Sequence, residues 1–323
     1  MEFRVLGKTD LKVSRLSMGT LTFGSQLQES DAVRLVDSCL EVGINFFDTA
    51  NTYNKGQSEK ILGQALRGRR HSVVLATKVG MKMGDEPGDI GLSRTAIRKA
   101  IEGSLQRLVT DCVDIYYLHM PDNETRIEET LNAVNELVEE GKVRYPAVSN
   151  YASWQVLHMR WYCDNHGYVP PTVSQPMYNL LARGIEQEYL AFCQAFSVAV
   201  VSYNPLAGGL LTGKHVLEAG PLAGTLFEGN RVYQDRYWHP EFFEAVTGLQ
   251  RVAERVGLSL PALAFRWLLS QPLVDSVILG VSSKTQFDDN LKACRGPSLS
   301  KDVLRECDAV WEKLRGVAPM YNR

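Results

Sequence analysis

The sequence of 323 residues lacks long hydrophobic runs, blocks of like charge, and cysteines at metal-binding or redox spacing. No run approaches the length of a membrane span, and the opening MEFRVLGKTDLKVSRL has no apolar leader segment, so we expect neither a membrane protein nor a secreted one. A net charge of −2 argues against broad electrostatic attraction to nucleic acid or anionic membranes. The six cysteines are scattered, which favours reduced thiols in a cytoplasmic protein.

Several catalytic signatures are also absent. There is no H-E-x-x-H and no other pair of histidines at ligand spacing, so we predict no metal site. There is no G-x-S-x-G elbow for a serine nucleophile. No G-x-G-x-x-G follows the first predicted strand, which weakens the doubly wound open sheet as the alternative fold.

The sequence does contain a regular alternation of short apolar runs and amphipathic stretches after a predicted N-terminal hairpin. The predicted strands are 15–19, 44–48, 72–78, 114–119, 143–150, 172–175, 198–205 and 275–280. The predicted helices are 31–42, 57–66, 93–108, 126–140, 153–166, 186–196, 240–256 or 261–270, and 284–293. Eight strand–helix units predict an α/β fold, a (β/α)8 TIM barrel, as a single domain over 1–323 with an N-terminal β-hairpin and a C-terminal helical tail.

The ends of the predicted helices carry recognisable signals. Ser93 and Ser153 are predicted N-caps, and Gly43 and Gly141 are predicted helix stops. Two segments do not fit the alternation: a Gly-rich insertion at 206–239 and a tail at 296–323 with one further helix near 300–314. Because long segments at a barrel rim are usually functional, we expect them to close over a ligand.

Polar side chains end six consecutive predicted strands. They are Asp48, Lys78, His119, Ser149 with Asn150, Gln175, and Tyr203 with Asn204. The carboxyl ends of barrel strands converge on one mouth, where active sites lie. One such residue could simply cap a helix, but six in succession predict a site.

The residue types at this mouth favour proton transfer alongside a bound cofactor. A tyrosine such as Tyr53, whose ordinary pKa is near 10, needs tuning to serve as an acid. A buried Lys78 would lower that pKa, and Asp48 would keep the lysine charged and in place. The combination predicts a general acid for a carbonyl oxygen.

The motifs around these residues resemble those of the aldo-keto reductase family, in order and over nearly the full chain. They are INFFDTANTY (44–53), ATK (76–78), YYLHMPD (116–122), AVSNY (147–151), SQPMYN (174–179) and YNPLAGGLLTGK (203–214). In the second half, LHMPDNETRIEETL, SNYASW, NPLAGGLLTGK and DRYW are most similar to the aflatoxin-aldehyde reductase subgroup.

The resemblance implies a role for each mouth residue. Tyr53 would donate the proton, Lys78 and Asp48 would lower its pKa, and His119 would orient the substrate carbonyl. The residues implied at the nicotinamide end of an NADP(H) cofactor are Asp48, Ser149, Asn150, Gln175 and Tyr203, the last by stacking. Those implied at the pyrophosphate are Asn204, Pro205, Leu206, Ala207, Gly208, Gly209 and Leu210, and those at the adenosine end are Lys214, Gly280, Ser282, Ser283, Gln286 and Asn290.

The segment 278–290 departs from the pattern, because Gly280 and Gln286 stand where many relatives use Lys and Arg on the 2′-phosphate. NAD(H) therefore stays possible beside NADP(H). Arg236, Trp238 and Arg323 are further candidates for substrate contact, since arginine suits a carboxylate.

The predicted function is NADP(H)-dependent reduction of a small carbonyl substrate, an aldehyde or ketone, to an alcohol. One alternative is an NAD(P)-dependent sugar or alcohol dehydrogenase. The other, from a different class, is a non-catalytic, cofactor-binding accessory subunit of a channel. A homo-oligomer is possible, and we expect no nucleic-acid or membrane partner.

Overall fold

The structure is a computed structural model that describes residues 1–317. Its strands are β1 (Phe3–Val5), β2 (Lys12–Ser14), β3 (Leu16–Gly19), β4 (Phe46–Asp48), β5 (Val74–Val79), β6 (Val113–Leu118), β7 (Val143–Ser149), β8 (Val173–Gln175), β9 (Ala199–Ser202) and β10 (Val274–Leu279). Its α-helices are α1 (Glu29–Glu41), α2 (Gln57–Ala65), α3 (Arg94–Leu108), α4 (Ile127–Glu139), α5 (Ser153–His166), α6 (Tyr189–Phe196), α7 (Arg231–Tyr237), α8 (Pro240–Arg255), α9 (Leu260–Leu269), α10 (Lys284–Cys294) and α11 (Lys301–Arg315).

The strands β3 to β10 close into one wholly parallel barrel. Each pairs with the next in chain order, and β10 returns to pair with both β9 and β3. A helix or helices follow every barrel strand, since parallel neighbours need a crossover connection. The predicted (β/α)8 barrel is confirmed, together with the N-terminal hairpin of β1 and β2 and the helical tail.

Side chains alternate along each strand between the inside of the barrel and the helix layer. The inward residues of the lower layers are apolar and form one core cluster; they include Phe46, Ala76, Tyr117, Ala147, Val173 and Val201. Two residues further along each strand, the same inward direction is taken by the polar residues at the mouth. The alternation that fills the core thus also delivers the candidate site.

The hairpin closes the opposite end of the barrel. Leu6, Leu11 and Val13 are buried in the inner cluster beneath the strand interiors. Polar contacts fix the hairpin to the starts of the strands: the Ser14 amide donates to Asn45 Oδ1 (2.8 Å), just before β4. The hairpin is the floor of the barrel, and the candidate site lies at the other end.

Helix ends agree with the sequence signals in part. Ser93 caps α3 by accepting a hydrogen bond from the Ala96 amide (3.3 Å). Gly43 and Gly141 follow α1 and α4 with left-handed φ values of 83° and 71°. The prediction for Ser153 was wrong, because Ala152 precedes the first turn of α5 and its amide donates to the Gln155 side chain (2.9 Å).

Three other segments refine the predicted pattern. Both alternatives for the helix after the seventh barrel strand exist, as α8 and α9. The insertion at 206–239 is not wholly irregular, since it contains α7. The tail helix α11 packs against α8 rather than on the barrel sheet. Within residues 1–317, no helix is long and apolar enough to cross a membrane.

Gly63 in α2 lies against the backbone at the end of α3. A Cβ there would come within 2.6 Å of the Leu108 carbonyl, which is too close for a real contact. We therefore expect Gly63→Ala to lower the free energy of unfolding by about 1–3 kcal/mol, although alanine ordinarily favours helix. Gly184→Ala is the control, because a Cβ at 184 meets nothing within 4 Å. Urea unfolding curves would measure both, and an unchanged midpoint for Gly63→Ala would contradict the packing argument.

Candidate active site

The mouth is built around a lysine buried inside the barrel. Lys78, on β5, is fully buried, and its Nζ forms an ion pair with the Asp48 carboxylate at the end of β4. The same Nζ donates to the Thr49 carbonyl oxygen (2.8 Å) and to the Tyr53 hydroxyl (3.3 Å). Adjacent parallel strands thus bring together three of the four predicted catalytic residues.

These contacts shift the pKa values of Lys78 and Tyr53. Burial lowers the pKa of Lys78, but the Asp48 carboxylate and Tyr53 raise it more, so the net pKa lies above its ordinary value. Burial raises the pKa of Tyr53, and the Lys78 charge opposes the rise without cancelling it. Lys78 lowers the phenol pKa as expected, but burial together with the Asp48 charge raises it, so the net pKa lies above its ordinary value. A protonated phenol at neutral pH is nevertheless the form that a proton donor requires.

His119 lies directly after β6 and faces Tyr53. The two rings meet edge to face, with centroids 6.0 Å apart. Burial, with a smaller contribution from the Lys78 charge, lowers the pKa of His119 to about 3. Its Nδ1 is buried without a hydrogen-bond partner in the described part of the chain. The neutral ring can therefore bind a ligand by hydrogen bonding rather than as a cation.

Three neighbouring side chains next to this group form a network of amides and a hydroxyl. Ser149 Oγ donates to the Gln175 carbonyl oxygen (2.8 Å), and Asn150 Nδ2 donates to Ser149 Oγ (3.1 Å). Gln175 Nε2 donates to Asp48 Oδ2 (2.8 Å), which ties the network to the ion pair. Donors and acceptors of this kind, held at adjacent strand ends, suit a carboxamide group.

The segment after β9 brings backbone to the rim of the mouth. Ala207, Gly208 and Gly209 have successive left-handed φ values of 50°, 69° and 105°. A Cβ at Gly208 would lie 2.8 Å from the Tyr233 ring, so both the conformation and the packing require glycine. Asn204 Oδ1 accepts from the Gly208 amide (2.7 Å) and holds the bend. A backbone bend of this kind lets phosphate oxygens approach closely, so the residues present fit a dinucleotide.

Tyr203 and Asn150 connect the two halves of this rim. The Tyr203 hydroxyl donates to Asn150 Oδ1 (2.8 Å), and Asn150 has a left-handed φ of 62°. Burial raises the pKa of Tyr203, and the Arg236 charge opposes the rise. The Tyr203 hydroxyl therefore joins the segment after β9 to the amide network.

Helix α7 is fixed to the rim through the buried hydroxyl of Tyr237. Asn204 Nδ2 and Asn179 Nδ2 each donate to this oxygen at 3.0 Å. Asn179 Nδ2 also donates to the Asn204 carbonyl oxygen (2.9 Å). One hydroxyl thus joins the glycine bend, the segment after β8, and the helix that carries Arg236.

Arg236 presents a charge at the mouth. It is half-buried, and its guanidinium lies over the Tyr233 ring, 5.5 Å from the centroid. No acidic side chain within residues 1–317 forms an ion pair with it, whereas Arg231 on the same helix pairs with Asp235 (3.6 Å). An arginine without a counter-charge suits an anionic ligand group.

The residues predicted at the adenosine end lie at the start of α10 and on the exposed insertion. Ser283 caps α10, and the Ser282 amide donates to Gln286 Oε1 (2.9 Å). A side chain at Gly280 would meet open space, and Lys284 is paired with Asp288 (2.6 Å). Asn290 is half-buried on α10, and Lys214 is exposed with no ion pair in the described chain.

The remaining substrate candidates have different positions. Trp238 packs edge to face in an aromatic cluster, with centroids 5.0 Å from Phe227, 5.4 Å from His215 and 5.1 Å from Phe243. This contact set anchors the insertion, and a substrate contact by Trp238 stays a prediction. Arg323 lies outside the described residues.

Sequence reasoning missed residues that support the mouth from below and from the side. Tyr117 lies beneath Lys78, whose Nζ is 5.6 Å from the Tyr117 ring centroid. The inward direction of Tyr117 could have been predicted, because Tyr117 precedes His119 by two residues on the predicted strand 114–119. Asn179 and Tyr237 gave no such signal, since their contact spans 58 positions of sequence.

Comparison with known proteins assigns the chain to a family. The model of the aldo/keto reductase family matches residues 15–312. The chain therefore belongs to the aldo/keto reductase family, as predicted, and is an oxidoreductase.

Individual relatives align with almost the whole chain. It is 36% identical over 323 residues to aflatoxin B1 aldehyde reductase member 2 of Rattus norvegicus, covering 95% of this chain and 87% of that protein. It is 37% identical over 317 residues to a probable voltage-gated potassium channel subunit beta of Oryza sativa subsp. japonica, covering 96% of each. It is 35% identical over 330 residues to an uncharacterized oxidoreductase, YrpG, of Bacillus subtilis, covering 99% and 98%.

The lowered pKa of His119 makes a testable prediction. Since its folded pKa of about 3 lies below the unfolded value near 6.5, His119 opposes folding increasingly as pH falls from 6.5 towards 3. We expect its imidazole C–H signal, assigned by its loss in His119→Asn, to show no titration between pH 7.5 and about 5. A midpoint near pH 6.5 in NMR spectra would show that the ring is solvated instead.

Proposed function

We propose that this oxidoreductase reduces aldehydes or ketones to alcohols with NADP(H), and that Tyr53 donates the proton. The observation that carries the proposal is the hydrogen bond between Tyr53 and a fully buried, ion-paired Lys78. A structural ion pair would not need a tyrosine hydroxyl at the mouth of the barrel. A proton donor would, because the phenolate that remains after transfer needs a fixed positive charge beside it.

The proton path uses three residues. The Tyr53 hydroxyl is protonated at neutral pH, since a phenol ordinarily has a pKa near 10 and burial raises it further, and it gives its proton to the carbonyl oxygen. Lys78 Nζ then stabilises the phenolate through the contact it already makes (3.3 Å). Asp48 keeps Lys78 charged and in place through their ion pair.

His119 would orient the carbonyl. Because its pKa is about 3, the ring is neutral at working pH and donates a hydrogen bond without competing with Tyr53 as an acid. The edge-to-face packing of the two rings, with centroids 6.0 Å apart, supports a contact of both groups with one carbonyl oxygen. Two donors at this oxygen polarise the carbonyl before the proton moves.

The cofactor supplies the hydride when bound, and the chain supplies its orientation. Ser149, Asn150 and Gln175 would hold the carboxamide, and Tyr203 would stack on the ring. The backbone of 204–210 would receive the pyrophosphate at its left-handed bend. Lys214, Ser282, Ser283, Gln286 and Asn290, with Gly280 leaving space, would hold the adenosine end. Lys214 is the unpaired cation we assign to the 2′-phosphate, and NAD(H) is the alternative cofactor.

Arg236 would give preference to carbonyl substrates that carry a carboxylate. Its guanidinium lies over the Tyr233 ring and lacks an acidic partner in the described chain. A substrate carboxylate would supply the missing counter-charge, and its carbonyl end would then reach Tyr53. Trp238 and Arg323 stay lesser candidates for the same pocket.

The similarity to probable voltage-gated potassium channel beta subunits supports a second candidate function, that of a channel accessory subunit. A channel accessory subunit would bind the cofactor and turn over slowly or not at all. The two functions differ in whether wild-type protein oxidises NADPH across a panel of aldehydes.

Tyr53→Phe removes only the proposed donor hydroxyl. We expect kcat for aldehyde reduction to fall by about 10²–10⁴, the usual contribution of a general acid. Binding of NADPH, measured by quenching of protein fluorescence, should change little. Tyr168→Phe is the matched control, because this half-buried tyrosine lies after α5, away from the mouth. Full activity in Tyr53→Phe would exclude Tyr53 as donor, and a wild type that binds NADPH without turnover would favour the accessory function.

Arg236→Met tests the substrate preference. For 4-carboxybenzaldehyde, we expect kcat/KM to fall about 10- to 100-fold, as for loss of a charge-assisted hydrogen bond. For 4-methylbenzaldehyde, of similar size and no charge, kcat/KM should be nearly unchanged. Arg231→Met, on the same helix but paired with Asp235, should alter neither. Equal losses for the two aldehydes would mean that Arg236 acts on the fold or cofactor.

A further inference from the structure

One outer helix of the barrel exposes aromatic side chains where the others expose charges. On α5, Trp154 is 67% exposed, Leu157 41% and Trp161 63%. They recur at intervals of three and four residues, so they share one face of the helix. His158 lies on the same face and stacks on Trp161, with centroids 6.4 Å apart. We call Trp154, Leu157, His158 and Trp161 the aromatic stripe.

The aromatic stripe differs from an ordinary solvated helix face in its residue types and in its position. The opposite face of α5, with Val156, Met159 and Cys163, is already buried against the barrel, so the stripe is not needed for the core. Asp164 is the one exposed acidic or basic residue of α5 other than histidine, whereas α11 exposes Arg305, Glu312 and Lys313. Depletion of charge together with exposed tryptophan marks the centre of a protein interface rather than a solvated face.

The stripe is also complementary to itself. Trp154 and Trp161 are seven residues apart, about 10 Å along the helix axis, with Leu157 and His158 midway. If a second α5 lies antiparallel about a two-fold axis at this midpoint, Trp154 of each copy meets Trp161 of the other. Leu157 then meets His158. An isologous dimer requires such a self-complementary surface.

The exposed area is of the right order for the centre of such a contact. Two tryptophans at their observed exposure contribute about 250 Å² per copy, roughly a third of the ~800 Å² that each partner buries in a standard interface. Leu157, His158 and the flanking surface of α5 would supply the remainder. We propose that the protein forms a two-fold dimer through the aromatic stripe, with a second copy of this chain as the partner.

The dimer is tested by sedimentation velocity across micromolar concentrations. We expect wild type near 72 kDa, twice the chain mass of 36.1 kDa, and both Trp154→Glu and Trp161→Glu near the monomer mass. Val5→Glu is the control, because this exposed apolar residue belongs to the hairpin floor, and it should stay dimeric. Circular dichroism would check that the variants fold. Monomeric wild type, or tryptophan variants that remain oligomeric, would overturn the proposal.

The pairing register has its own test. His158→Cys lies next to the proposed axis and should link to its own copy with a short bis-maleimide. Asp164→Cys, on the same helix but about two turns away, should not. Wild type measures the background from the half-buried Cys112 and Cys294. A dimer that links through 164 and not 158 would refute the antiparallel arrangement.

Discussion

The ion pair between Lys78 and Asp48 is the constraint on which the mouth of this barrel depends. An ammonium group with no solvent exposure is tolerable only with a partner and satisfied hydrogen bonds. Asp48 and the Thr49 carbonyl provide them. Asp48 is itself held by Gln175 from across the barrel, so residues on β4, β5 and β8 form one connected unit. The positions of Tyr53 and the amide network follow from that unit.

The barrel supports this arrangement by layers. The lower interior is apolar and closed by the hairpin, and the polar residues occupy the next inward position of each strand. The low dielectric constant of this interior strengthens the attraction between the two charges and raises the free energy of any unpaired polar group. Burial raises the pKa of Tyr53 and lowers the pKa of His119. One physical cause therefore favours the uncharged form of both neighbouring rings, the phenol with its proton and the imidazole without a second one.

The strand alternation and the polar strand ends were sufficient to predict the barrel and the members of the mouth. The signal is local, because each strand end is read from fewer than ten residues. The net pKa of Tyr53 was not predictable in this way, since it depends on how much burial outweighs Lys78. The predicted bounds of α5 were correct, but its N-cap is Ala152 rather than Ser153, because the Ala152 amide precedes the first turn and donates to the Gln155 side chain.

Contacts between residues distant in sequence could not be predicted either. The hydroxyl of Tyr237 joins Asn179 and Asn204, and nothing in the local pattern of the insertion indicates it. The resemblance implied that the backbone of 204–210 meets the pyrophosphate, but the three successive left-handed residues of the glycine bend depend on Asn204 and on the Tyr233 ring, which the local sequence does not indicate. Features formed by several segments of the chain can be identified only in the folded structure.

The hairpin floor has a practical consequence for handling the protein. Because Leu6, Leu11 and Val13 are buried beneath the strands, the segment that begins at Met1 leaves the barrel on the side away from the mouth. A support, electrode or fluorescent carrier attached through that end would face the floor. The mouth would point outward from the surface, open to small molecules in the flowing solution. Attachment through the insertion at 206–239 would orient the barrel the other way and obstruct entry.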